Sequence, residues 1–273
     1  PCLADVRRHT RIAQRLAPVT AISLMDYPVT DLAGPESNLR AMEAHLLDHD
    51  KHIQVMPASV ASLQRWLRVE RLLRGDEGAA GGPLMSVGVA LQSPLVLSAA
   101  NSQLLLMACA HDLPVVPTVC PMAGSTAPYS KAGTLLLTNA EVVFLAALTQ
   151  MVRPGHPFLF AFGPSRMDPR DGGDLYYTLD KVLWKIAGAQ LAHAYGLPAA
   201  AECGGSMPCR YDLQTGAEGM LFMLAAVHAG AEVLAGLGSC GNAVAMSGEM
   251  MVVQTGWLEA ARFLERGIDP QTH

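Results

Sequence analysis

Apolar residues recur along this chain in two alternating rhythms. Short runs rich in valine, alanine and leucine give way to longer stretches whose apolar positions fall three to four apart, and then the pattern repeats. The first rhythm predicts strands and the second helices. Strands are expected at about residues 19–25, 52–56, 84–91, 115–119, 158–162, 199–202 and 233–237. Helices are expected at about 36–49, 59–73, 99–111, 131–152, 179–195, 211–229 and 247–266. A leading helix over 3–16, with Val6, Ile12, Ala13 and Leu16 on one face, comes before these seven strand–helix units. Residues 75–83 break the rhythm only briefly and read as a flexible loop, because the alternation resumes unchanged after them.

Repeated strand–helix units imply a parallel sheet, either an open doubly wound one or a closed barrel. A doubly wound sheet usually carries a glycine-rich phosphate loop after its first strand. Here that loop reads Asp26-Tyr27-Pro28-Val29-Thr30, without glycine. The expected fold is therefore α/β, a (β/α)8 TIM-type barrel. The chain opens at Pro1 inside a helical pattern, so the first strand is expected to be missing from this fragment. Residues 1–273 are read as one barrel domain, incomplete at the N-terminus. A barrel lacking a strand exposes two sheet edges, and it should be less stable than its parent.

Composition supports double burial of the strands, with hydrophobic residues at 51% and charged ones at only 16%. The net charge of -5, without a Lys/Arg block, argues against nucleic acid or an anionic membrane surface as partner. The longest apolar stretch, 132–152, is interrupted by Asn139, Glu141 and Gln150 and is read as a buried helix, not a membrane span. The six cysteines are scattered without a CxxC pair, which fits reduced thiols in a cytoplasmic protein.

The most informative stretch runs from Pro114 to Pro154: a β-branched strand, a loop of small and hydroxyl residues, then a long apolar helix. Its loop, Pro121-Met122-Ala123-Gly124-Ser125-Thr126-Ala127-Pro128, resembles that of the trimethylamine methyltransferase family in its broad sense. Further matches follow in order: Ala132-Gly133-Thr134-Leu135, Asn139-Ala140-Glu141-Val142, Val152-Arg153-Pro154-Gly155, Ala189-Gln190-Leu191-Ala192, Tyr195-Gly196-Leu197-Pro198 and the spaced Asp212, Gln214, Gly216 and Glu218. Ser93-Pro94-Leu95 and Pro114-Val115-Val116 match as well. The resemblance implies a barrel that binds a methylated amine at its mouth. It also implies that the methyl group passes to the cobalt of a separate corrinoid protein. The sequence carries no pyrrolysine, so a glycine betaine-like quaternary or tertiary amine is expected rather than the pyrrolysine-type trimethylamine reaction. The family's His-Gly-Ala-Gly after the last strand is Ala235-Gly236-Leu237-Gly238 here, and this departure keeps a binding-only barrel open as an alternative. Association with further copies of the chain is expected.

In a barrel the residues just past each strand line the mouth. The candidate substrate-binding residues are Tyr27, Gln92, Thr126, Tyr129, Arg166, Asp168, Glu202 and Asn242. A quaternary ammonium donates no hydrogen bond and is held by aromatic faces and carboxylates. Tyr27, Tyr129 and Phe162 are candidate walls, and Glu202 or Asp168 a candidate counter-charge. Arg166 could fork onto a substrate carboxylate, or it could simply pair with Asp168 or Asp171.

Other readings stay open. Cys120, Cys203 and Cys240 fall near strand ends, where three thiolates would suit a zinc-dependent methyltransferase; no ligand-like spacing occurs, however, and small buried core residues are the plainer reading. An aldolase- or phosphate-type barrel would need a lysine at a strand end or a glycine-rich phosphate site, and Gly204-Gly205 and residues 236–241 leave room for the latter. Gly124, Gly204 and Gly205 fit tight turns or close approach. His45, His49 and His52 read as solvated or helix-capping residues, as do His111, His193 and His228.

Overall fold

The computed structural model describes residues 2–23, 29–32, 37–74 and 82–268. They form two compact units. The first comprises Pro1–Thr118 with Val143–Phe158, the second Val119–Val142 with Leu159–His273.

In the first unit the elements alternate as the apolar rhythm requires: α1 (Leu3–Arg15), β1 (Ala21–Ser23), α2 (Ser37–Asp48), β2 (His52–Val55), α3 (Val60–Arg74), β3 (Met85–Leu91), α4 (Ala99–Ala110) and β4 (Val115–Val119). The strands lie in the order β1-β2-β3-β4, with β1 parallel to β2 and β2 parallel to β3. Met85, Ser86, Val87, Gly88 and Val89 are all buried in succession. Such a run means that β3 is covered on both faces. Ser98 caps α4 by accepting from the Asn101 backbone N–H at 3.2 Å.

The buried stripe of α1 is Val6, His9, Thr10 and Ala13, polar where an apolar face is expected. Thr10 Oγ1 meets His45 Nδ1 at 2.8 Å. His45 and His49 are buried, and His52 bonds Ser86 Oγ at 3.0 Å, so these histidines are packed between elements instead of solvated. Burial holds the His49 and His52 imidazoles below their ordinary pKa.

The second unit holds β5 (Met122–Ala123), β6 (Ser165–Met167), β7 (Asp174–Leu175), α6 (Leu179–Ala194), β8 (Ala200–Glu202), α7 (Leu213–His228), β9 (Val233–Ala235), β10 (Ser239–Cys240), β11 (Ala245–Met246) and α8 (Gly248–Arg266). β8 and β9 are parallel. Its core gathers Ala201, Cys203, Met223, Ala226, Val227, Leu258 and Ala261. Asp212 caps α7 and Ser247 caps α8 through backbone N–H groups three residues on.

The strand expected over 158–162 forms only isolated parallel bridges, Val115 to Phe158 and Phe160 to Ala199. Conversely, the sequence rhythm does not foreshadow β5–β7 and β10–β11, which are two- and three-residue pairings within loops. Runs this short carry too few alternating positions to stand out from turn composition.

α5 (Lys131–Val152) has the expected bounds and an inverted dress. Its inward positions are Thr134, Thr138, Glu141, Val142, Leu145 and Thr149, whereas Ala132, Leu136, Ala140, Val143, Phe144, Ala147 and Met151 are exposed. The buried Thr138 and Thr149 hydroxyls donate to the carbonyls of Thr134 and Leu145, each at 2.7 Å, so they need no other partner. By length and composition α5 could cross a membrane, and only 28% of its most apolar window is buried. It is therefore not the buried helix its composition suggests. Among the described residues the fold is α/β, with parallel pairing and eight helices.

Candidate functional site

The site grows from a second inverted helix. On α6 the buried positions are Lys181, Val182, Trp184, Lys185, Gly188, Ala189 and Ala192, while Leu179 and Leu183 face outward. Residues four apart share a helix face, so Lys181 and Lys185 enter the core of the second unit together. Both run beneath the C-terminal end of β8, where Glu202 is the last strand residue. Its Oε2 lies 3.1 Å from Lys181 Nζ and 3.2 Å from Lys185 Nζ. Lys185 also donates to the Phe162 carbonyl.

Two adjacent tyrosines complete the arrangement. Tyr176 donates its hydroxyl to Glu202 Oε1 at 2.7 Å, and Lys181 Nζ sits 2.9 Å from the centre of the Tyr176 ring. Tyr177 stands edge-on to Tyr176, with its centre 5.6 Å from the same ammonium and its hydroxyl 2.8 Å from Ser239 Oγ. Asn242 pins this pair: its Oδ1 accepts from the Tyr176 backbone N–H at 2.6 Å and its Nδ2 donates to the Asp174 carbonyl at 2.5 Å. Asn242 has φ 56°, which asparagine tolerates better than most residues. Gly205 at φ +115° lies against the Tyr177 ring, and no side chain fits there.

The charges tune one another. Burial pulls the Lys181 amine down to about 8, with Lys185 adding to the effect and Glu202 opposing it. Burial alone would raise Glu202, yet Lys181, Lys185 and the Tyr176 hydroxyl outweigh it and bring the carboxyl down to about 2. Burial and then the Glu202 charge push the Tyr176 phenol well above its ordinary value. At neutral pH the cluster therefore holds an ionised Glu202, a neutral Tyr176 and a mainly protonated Lys181. Cys120 borders it, and burial raises its thiol pKa despite Lys181. An ammonium against an aromatic face, with a carboxylate behind, is the arrangement that binds cations.

The other candidates lie elsewhere or take other partners. Tyr27 lies outside the described residues, as does Asp26. Gln92, in the first unit, pairs backbone to backbone with Val96 at the end of β3. Thr126 Oγ1 accepts from the Met122 N–H at 2.8 Å and shapes its loop. Arg166 lies 4.6 Å above the Tyr129 ring and pairs with Asp180, which also meets Lys131 at 3.0 Å. The face of Tyr129 is thus covered by a cation of the chain itself. Asp168 is clasped by Arg170 at 2.6 Å, and this hydrogen-bonded guanidinium takes its carboxyl down to about 2. Of the eight candidates, Glu202 and Asn242 are joined in one network, with Tyr176 as the link.

Cys203 is buried, donates to the Ala235 carbonyl and has its thiol pushed up to about 12 by burial. No group of three or more His, Cys, Asp or Glu residues placed to hold a metal occurs among the described residues. Lys181, Lys185, Tyr176 and Tyr177 are the residues that sequence reasoning passed over. Their signal was the polarity of α6, where lysines occupy the Gly188-Ala189-Ala192 face and leucines the other.

The family model described as trimethylamine methyltransferase (MTTB) matches residues 1–272. A glycine betaine methyltransferase of Desulfitobacterium hafniense is 39% identical over 105 residues, 38% of this chain and 22% of that protein. The trimethylamine methyltransferase MttB of Methanosarcina thermophila is 28% identical over 204 residues, 74% of this chain and 42% of that protein. The chain thus spans less than half the length of these relatives. A dihydropteroate synthase of Coxiella burnetii is similar in fold, with TM-score 0.61 and 12% identity over 98% of this chain and 87% of that one. An N-acetylneuraminic acid synthetase of Leptospira borgpetersenii gives TM-score 0.53 at the same identity, over 99% and 82%. The chain belongs to the trimethylamine methyltransferase (MTTB) family.

Proposed function

We propose that this chain is the barrel portion of a methyltransferase that moves a methyl group from a quaternary or tertiary methylated amine, of the glycine betaine kind, to the cobalt of a separate corrinoid protein. Family membership supplies the reaction class. The observation that carries the reading to particular residues is the Glu202 carboxylate facing Tyr176 and Tyr177, a cation-binding set at a strand end. The partner's cobalt would supply the nucleophile that takes the methyl group. The residues of this chain hold the substrate. Loss of methyl from a positive nitrogen leaves a neutral amine, so Glu202 has no proton to give and stays an ionised counter-charge. Catalysis is then chiefly placement of the methyl along the line of attack.

Closure into a (β/α)8 barrel, as one domain, belongs to the same proposal. It is supported by the even strand–helix succession and by likeness to barrel enzymes at TM-score 0.61. A cytoplasmic location belongs to the same proposal and is supported by six cysteines scattered without a CxxC pair. Association of copies is supported by the outward face of α5. Along it small and large residues alternate: Ala132, Leu136, Ala140, Phe144, Ala147 and Met151. Two such helices running antiparallel about a two-fold axis would set Ala132 against Met151, Leu136 against Ala147 and Ala140 against Phe144. A two-fold contact requires this kind of self-complementarity.

The test is a transfer assay using the complete protein, a corrinoid protein and a panel of trimethylamine, glycine betaine and proline betaine. Methylation of the cobalt by at least one of them supports the reading. Measurable amine binding without transfer would select a binding-only barrel.

A further inference from the structure

The residues best suited to hold a methylated ammonium already hold an ammonium of the chain itself. Lys181 Nζ rests on the Tyr176 face at 2.9 Å, lies 5.6 Å from the centre of Tyr177 and pairs with Glu202 at 3.1 Å. The side chain is 0% exposed. A buried lysine is ordinarily costly, and here the cost is offset by the Glu202 carboxylate and by the Gly163 carbonyl, to which Lys181 donates at 3.5 Å. We propose that Lys181 is an internal stand-in for the substrate: Tyr176, Tyr177 and Glu202 form an alkylammonium cage that Lys181 fills in the free protein and that a methylated ammonium enters by displacing it.

This inference rests on the proposed function and adds to it a specificity-determining residue. Lys181 sets a threshold that an incoming cation must exceed. Its ammonium is held by one carboxylate shared with Lys185, so the cluster carries one more positive charge than negative. Swapping Lys181 for a bound ammonium keeps that balance, whereas adding a cation beside it does not. Size also agrees. The atoms lost on Lys181→Ala, three methylenes and a nitrogen, match in number the three methyl groups and nitrogen of trimethylammonium. Glu202, whose side chain is partly exposed, is the member of the cluster that solvent reaches.

The experiment measures trimethylammonium binding calorimetrically, without corrinoid, to the complete protein as wild type, Lys181→Ala and Lys181→Met. Lys181→Ala should bind at least tenfold more tightly than wild type. Lys181→Met, which refills the cage with an apolar chain of similar length, should gain nothing. Equal affinities for Ala and Met variants would overturn the proposal. A second measurement needs no variant: acetylation of Lys181 in the wild type, followed by mass spectrometry. It should be slow in the free protein and at least severalfold faster with trimethylammonium than with the same concentration of sodium chloride. An unchanged rate would also overturn the proposal. Tight binding by Lys181→Ala with no methyl transfer in the complete protein would count against the proposed reaction and leave the cage standing.

Discussion

At the scale of single residues, the behaviour of Glu202 follows from its neighbours. Two buried ammonium groups and a phenol converge on one carboxylate. Removing that charge leaves the lysines uncompensated, so Glu202→Gln should cost roughly 3–5 kcal/mol in urea unfolding. Replacing Lys181 and Glu202 together by Met and Leu should recover part of that loss. The pH dependence has a definite sign. Glu202 is held near 2 against an ordinary 4.5, so the unfolded chain takes up the proton first. Its stabilisation is present above about pH 4.5 and is lost as the pH falls toward about 2. Lys181 is held near 8 against 10.5, so the unfolded chain keeps its proton longer. Its contribution therefore rises between about pH 8 and 10.5. Urea titrations across both windows should show each slope vanish, in Glu202→Gln and Lys181→Met respectively. Glu202 was legible in the sequence, because the end of a short apolar run is a simple signal. The lysines were not read, because a helix pattern is judged by its apolar residues, and α6 keeps its period while exchanging its faces.

At the scale of elements, long helices matched expectation within a residue or two because each carries many periodic positions. The weak point was 158–162, where Phe158 and Phe160 are buried but only single bridges form on either side. Apolar content revealed burial there, not ladder length. The junction after β8 and β9 depends on an absent side chain. A Cβ on Gly204 would run into the Gly236 carbonyl and Gln254 Oε1. Gly204→Ala should therefore destabilise by roughly 2 kcal/mol through overpacking and disturb the turn that follows Glu202. Gly216, on α7, has open space around it. Gly216→Ala should stabilise by about 0.5–1 kcal/mol, as expected for a helix interior. Thermal melting of the two variants should move in opposite directions.

At the scale of the whole molecule, net charge argued only against nucleic acid and anionic membranes, and the outward face of α5 carries the proposed contact between copies. Leu136 and Phe144 are 71% and 49% exposed. If copies associate through this face as proposed, Leu136→Glu with Phe144→Glu should shift the protein to a smaller species in light scattering, and an unchanged mass would count against association through α5. Transfer kinetics test most directly whether the reaction of the family runs through this one cluster of residues. With glycine betaine carrying deuterated methyl groups, the complete protein should place the label on the cobalt of its corrinoid partner. Tyr176→Leu, which removes the aromatic face, should lower kcat/KM roughly 30-fold, equivalent to about 2 kcal/mol of desolvated cation–aromatic attraction. Transfer that proceeds equally well without the Tyr176 ring would contradict the account, as would a failure to move label from any methylated amine.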